Sequence, residues 1–195
     1  MIYIVWQKCD DNAASRHISG IFLRNKLLET AFGSDMSEKI YISSSNRPEI
    51  DIRSTDISVS HSECVSAAAL STEFDPIANM DFENMTVLDI SCNKIGLDVE
   101  AVAGNDKISA FKKIAEKYFF KEENDFLFSL KDDEFLNEFC KMWTVKESVC
   151  KASGKGISEL KSINAFCKEI KENVFSYPLI CKGKKYYLSV FGSKK

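Results

Sequence analysis

Hydrophobic spacing divides the chain into helical and extended segments, and the clearest helical signal is Phe139–Gly156, FCKMWTVKESVCKASGKG. At about 100° per residue, Met142, Val145, Val149 and Ala152 fall on one stripe. Glu147 and Lys151 lie four apart on the opposite face, with Trp143 and Cys150 beside them. Such a face suits an exposed ion pair with a rim tryptophan, or equally the wall of a cleft anchored by the apolar stripe. Gly154 and Gly156 end the segment, so the helix and its lead-in run from Asp132 to Gly154.

The remaining elements follow from the same periodicities. Ile2 to Trp6 reads as a short strand, and Asn12 to Phe32 as a helix through Ile18, Ile21, Phe22 and Leu28, closed by Gly33. Ser43 to Pro48 is turn-forming, and Ser71 to Asp81, with Pro76, is a loop. Ile57 to Ser60 alternates as a half-buried strand and runs into His61 and Ser62, giving SVSHS. Val65–Leu70, Val87–Ile90 and Ile95–Glu100 are further strand signals, the last two split by Asn93 and Lys94. Lys107 to Phe120 predicts an amphipathic helix, with Phe111, Ile114, Ala115 and Tyr118 inward and Lys112, Lys113, Glu116 and Lys117 outward. Val174–Ile180 and Lys185–Phe191 predict a hairpin turning near Gly183. The loop at Ala101–Asp106 is the natural boundary between two halves, 1–102 and 103–195.

One strand carries candidate chemistry. In I-G-L-D-V-E, side chains alternate, so Asp98 and Glu100 share a face about 7 Å apart. Two carboxylates at that spacing repel unless a positive charge lies between them, and they suit a hard cation such as Mg²⁺. A solvent-facing acidic edge is the plain alternative. SVSHS, in turn, offers hydroxyl and imidazole donors to a phosphate, or simply forms a solvated turn.

Composition narrows the classes. With 195 residues, 45% hydrophobic and 28% charged, the chain has ample material for a core. No apolar run reaches the roughly 18 residues needed to span a bilayer. MIYIVWQKCDD has neither a basic n-region nor a long apolar stretch, so no signal peptide and a cytoplasmic setting are expected. A net charge of −3 gives no basic field for nucleic acid. The 7 cysteines form no CxxC pair and only 2 histidines occur, which argues against zinc and for most of the cysteines being buried thiols.

Taken in order, NRPEI, SVSHS, IGLDVE and WTVKESVCKASGKG resemble the 4′-phosphopantetheinyl transferase superfamily, specifically its larger, monomeric Sfp-type class. The resemblance runs from about Arg16 to Gly156, and the pairing of the (I/V)G-x-D-x-E strand with the W-x-x-K-E-x-x-x-K helix carries its specificity. It implies an α/β (α+β) fold, a pseudo-twofold pair of similar halves with the nucleotide side of a cleft in the first and the metal and carrier side in the second. It implies transfer of the 4′-phosphopantetheine arm of coenzyme A to a serine of an acyl or peptidyl carrier protein, with Mg²⁺ or alternatively Mn²⁺. Neither a membrane nor a nucleic acid takes part.

Residue by residue, the resemblance makes Asp98, Glu100 and Glu147 the metal carboxylates, and Lys151 a lysine meeting a coenzyme A phosphate. Ser60 and His61 match a phosphate-binding pair, with His61 on the 3′-phosphate, while Arg47 and Pro48 match a basic-Pro pair near the adenine. Arg24 falls on the nucleotide side, and Glu123, after A-x-K-Y-F, matches a glutamate proposed to help deprotonate the serine. Glu147, Lys151 and Glu123 are thus the implied catalytic residues. Arg47 stands where lysine is common, and a lysine-rich segment before the central helix is missing. Phosphoryl transfer needs charge neutralisation and positioning more than covalent catalysis, which suits this set. A non-catalytic coenzyme A or carrier-binding protein and a Mg²⁺-dependent coenzyme A diphosphate hydrolase are the alternatives. Carriers in such systems are acidic, so Lys113 and Lys117 on the 107–120 helix are the candidate docking charges.

Overall fold

Strand β1 (Ile2–Lys8) is central to the first sheet, a computed structural model of the chain shows; the structure describes residues 1–34, 36–43, 47–73 and 82–193. On one side β1 pairs antiparallel with β5 (Val65–Thr72) and on the other with β6 (Met85–Leu88), while β4 (Thr55–Ser62) forms the far edge, order β4-β5-β1-β6. Every residue of β5 is buried, and its run of Ala67, Ala68 and Ala69 lets layers close on both faces. β2 (Ile40–Ile42) and β3 (Pro48–Ile50) make a small separate hairpin that hydrophobic patterning did not predict. Residues 44–46 of the expected turn and 74–81 of the expected loop lie outside the described residues.

Helix α1 (Ala13–Phe32) begins where the Asn12 side chain accepts from the Ser15 N–H at 2.8 Å and ends at Gly33 in the left-handed region (φ 73°). Its buried stripe is Gly20, Leu23, Leu27, Leu28 and Ala31. Ile18 and Phe22, expected inward, are instead 65% and 55% exposed. The reason is the rotation of the helix: Gly20 faces β4, where a Cβ would meet Val59 Cγ1 at 2.9 Å.

The second sheet has order β7-β9-β8, from β7 (Lys94–Ala101), β8 (Val174–Cys181) and β9 (Lys184–Ser193), with β8 and β9 turning through Lys182 and Gly183 at positive φ. The expected division at 102/103 falls between β7 and β9, which pair with each other. α2 (Ile108–Tyr118), α3 (Lys121–Phe128) and α5 (Lys168–Asn173) flank the long helix α4 (Asp132–Ser153), whose first turn is acidic and whose C-cap is Gly154 at φ 72°. α3 and α5 are too short for a resolvable 3.6-residue period, and neither was predicted.

Two edges meet without backbone pairing. Asp56, Ser58, Ser60 and Ser62, every second residue of β4, accept from the N–H groups of Ile95, Leu97, Val99 and Ala101 at 2.8, 2.9, 3.4 and 3.1 Å. Each pair is 39 residues apart, so β4 and β7 run in the same direction. Buried N–H groups must be paired, and here side-chain oxygens take the place of strand carbonyls. Behind this seam one core is shared by both sheets, with Ile2, Ile4 and Ala69 against Leu97, Leu188 and Val190. A second lies under α1, and a third joins α4 to α2 and α3 through stacked Phe111, Phe119 and Phe139. Among the described residues no helix is long and apolar enough to cross a membrane. All seven cysteines are free; Cys64, Cys92, Cys140, Cys150 and Cys181 are buried, as expected for most of them, while Cys9 is half-buried and Cys167 exposed.

Candidate active site

Close approach between α4 and β7 builds the centre of the site. A Cβ on Gly96 would lie 1.8 Å from the Ser148 carbonyl oxygen, so the glycine of I-G-L-D-V-E admits the helix backbone. Two residues along the strand, Asp98 points at the same helix, where Lys151 Nζ donates to Asp98 Oδ1 at 2.7 Å. Ser60 Oγ from β4 donates to that oxygen at 2.9 Å and accepts from Lys151 at 2.9 Å. Glu100 accepts from Ser62 Oγ at 2.8 Å. Glu147, one turn before Lys151, completes a cluster in which one ligand atom each from Asp98, Glu100 and Glu147 lie within 4.8 Å of one another.

Electrostatics make the cluster unstable without more positive charge. Burial, and next the charge on Asp98, push the Glu100 carboxyl up to about 7, and Glu147 likewise to about 7. Lys151 is the nearest cation, and Asp98 Oδ2 is buried without a hydrogen-bond partner. An oxygen-only donor set with an orphaned carboxylate oxygen fits a hard divalent cation, so these residues could hold a metal ion.

The cluster forms the floor of a cleft of about 700 Å³. His61 and Val59 of β4, Tyr41 of β2, Pro48 of β3, and His17, Gly20 and Arg24 of α1 form its other walls. Partial desolvation at the cleft lowers the pKa of Arg24 and, as the largest influence, that of His61, whose ring is otherwise exposed. Thus Arg24, Pro48, Ser60, His61, Asp98, Glu100, Glu147 and Lys151 are brought together from five separate segments. His17 was overlooked in the sequence, although its spacing from Gly20, Ile21 and Arg24 is that of one helical face. A second opening of about 790 Å³, beside Lys8, Ser15 and Phe22, contains none of the predicted residues.

Three expected residues sit differently. Arg47 is buried, ion-paired with Asp56, and donates to the Ile95 carbonyl at 2.8 Å, so the seam's own carboxylate claims its charge. It borders an adjoining cavity of about 270 Å³ with Pro48, Cys150 and Ile157 rather than the main cleft. Glu123 has no exposed surface: it pairs with Lys146 at 2.8 Å and accepts from the Phe120 and Ala165 N–H groups at 2.7 and 2.6 Å. The carboxylate expected to act as a base is thus engaged in a buried ion pair and is not among the residues lining the cleft. Trp143 does not line the cleft; its ring stacks on Phe139 and Phe119, at 5.9 and 6.3 Å between centroids.

Comparison with known proteins points to one superfamily. The chain is 35% identical over 75 residues to 4′-phosphopantetheinyl transferase gsp of Aneurinibacillus migulanus, a stretch covering 38% of this chain and 30% of that protein. It is 34% identical over 70 residues to 4′-phosphopantetheinyl transferase HetI of Nostoc sp., covering 36% and 28%. The matches thus span less than a third of either relative's length. Residues 94–190, from the start of β7 through α4 to β9, match the family model of the 4′-phosphopantetheinyl transferase superfamily, so this part of the chain is similar to that superfamily.

Proposed function

We propose that the chain transfers the 4′-phosphopantetheine arm of coenzyme A to a serine of an apo acyl or peptidyl carrier protein, releasing adenosine 3′,5′-bisphosphate. The observation that carries this reading is the meeting, in one cleft, of the Asp98–Glu100–Glu147 cluster with Lys151, His61 and Arg24. In this reading the three carboxylates hold Mg²⁺, or Mn²⁺ in its place, which when bound neutralises the diphosphate. Lys151 donates to a phosphate oxygen, while His61, His17 and Arg24 face the 3′-phosphate and Pro48 borders the adenine. The serine oxygen attacks the β-phosphorus and the bond to the bisphosphate oxygen breaks; the chain's own work is to position both and balance charge.

Each sheet carries one long helix, α1 or α4, and the sheets join along β4 and β7. That arrangement supports two pseudo-twofold halves of the Sfp-type class; the same reading makes the protein a cytoplasmic monomer, with nucleotide on the α1 side and the carrier protein on the α2 side.

Mass spectrometry of a panel of apo carrier proteins incubated with coenzyme A and Mg²⁺ tests the reading. One carrier should gain the mass of one phosphopantetheine, and Asp98→Ala should lose on the order of 10²-fold or more in rate. Release of bisphosphate from coenzyme A without any carrier would instead make the protein a hydrolase.

A further inference from the structure

The hydroxyls of β4 do two different jobs at the seam, and the difference singles out a residue that the motif comparison left without a role. Ser58 Oγ accepts from the Leu97 N–H at 2.9 Å, a bond that joins strand to strand. Ser62 Oγ makes the equivalent bond to the Ala101 N–H at 3.1 Å, but its own proton goes to Glu100 Oε2 at 2.8 Å. A hydroxyl has one proton and two acceptor sites, so accepting from a fixed backbone N–H orients the proton it gives. Glu100 is a flexible side chain whose remaining neighbours in the cluster, Asp98 and Glu147, repel it. Among the described residues Ser62 is the side chain that donates to its carboxylate.

We propose that Ser62 is a positioning residue for the metal site: anchored by Ala101, it holds Glu100 within the carboxylate cluster. It touches neither the metal nor the nucleotide and acts through Glu100 alone. Ser60 does the same for Asp98 but also bonds Lys151, which makes it part of the cleft itself. Partners that orient metal-ligating carboxylates typically change metal affinity by about 10- to 100-fold when removed. The inference rests on the carboxylate cluster being a divalent-cation site.

Mn²⁺ binding to the whole chain, measured by the electron paramagnetic resonance of free Mn²⁺, tests both levels. Ser62→Ala should weaken Mn²⁺ by about 10-fold. Ser62→Thr, which keeps the hydroxyl, should restore most of it. Ser58→Ala also removes one seam hydrogen bond and should lower thermal stability comparably, yet leave Mn²⁺ affinity unchanged. In turnover, Ser62→Ala should raise the Mg²⁺ concentration required for half-maximal rate and leave the KM for coenzyme A near its original value. Wild-type-like Mn²⁺ affinity in Ser62→Ala overturns the proposal, as does an equal loss in Ser58→Ala, which would mark a general loosening of the seam. If the unaltered protein binds no Mn²⁺, the metal reading itself fails.

Discussion

Glu123 and Lys146 form an ion pair, 2.8 Å long, in which neither side chain has exposed surface. Lys146 also donates to the Ile163 carbonyl and lies 4.7 Å from the centre of the Phe119 ring, while Glu123 caps the start of α3. The pair ties three segments to the helix that carries Glu147 and Lys151. Removing one partner leaves an uncompensated buried charge, so Glu123→Ala should cost about 3–5 kcal/mol in urea unfolding. Replacing both, as Glu123→Leu with Lys146→Met, should recover much of that. A general base would behave otherwise: Glu123→Gln would then abolish turnover with unfolding unchanged.

Stability should depend on pH through the carboxylate cluster. Glu100 and Glu147 are raised from 4.5 to about 7 in the folded chain. A carboxyl that holds its proton more tightly when folded adds stability that is full below about pH 4.5 and lost as pH rises through about 7. Without divalent cations, Tm should therefore fall between pH 6 and pH 8. Cations bind the ionised form, so the Tm increase on adding Mg²⁺ should be larger at pH 8 than at pH 6. Equal Mg²⁺ shifts at both would contradict the assignment.

Gly96 is the position where the fold tolerates least. A Cβ there would lie 1.8 Å from the Ser148 oxygen and 2.5 Å from the Ala152 nitrogen, both backbone atoms of α4. Gly96→Ala should destabilise the protein by at least about 1–3 kcal/mol, because helix and strand must part. It should also reduce metal affinity, since Asp98 and Glu147 would separate. Calorimetry with and without Mn²⁺ measures both.

His61 is exposed at the cleft and should read the 3′-phosphate. His61→Ala should weaken coenzyme A by about 10- to 100-fold, the worth of one charge-assisted hydrogen bond, and 3′-dephospho-coenzyme A much less. Titration calorimetry with the two ligands decides; equal losses would give His61 another role.

Lys113 and Lys117 are exposed on α2, whereas Lys112 is half-buried 5.6 Å from the centre of the Phe135 ring. Lys113→Glu with Lys117→Glu should raise the KM for an acidic carrier protein and flatten its salt dependence, with the KM for coenzyme A unchanged. Normal carrier turnover at low salt would move the docking surface elsewhere.

Local chemistry determined a good deal. The 3.6-residue stripe of Met142, Val145 and Ala152 fixed α4, because a helix must bury one face, and Gly154 ended it because only a residue free to adopt positive φ continues the chain there. Alternation put Asp98 and Glu100 on one side of β7, so two of the three clustered carboxylates were legible from spacing alone. Tertiary structure decided what these groups meet. SVSHS offers hydroxyls, but only the side-by-side seam of β4 and β7 directs Ser60 and Ser62 to carboxylates rather than to solvent. Glu123 and Arg47 are ordinary charges in sequence; burial gave them Lys146 and Asp56 as partners. The rotation of α1 that exposes Phe22 and turns His17 and Arg24 to the cleft depends on the approach of Gly20 to Val59, residues 39 positions apart. Periodicity tells which faces of an element are apolar; which neighbour each face finds is set by long-range contacts that no local pattern encodes.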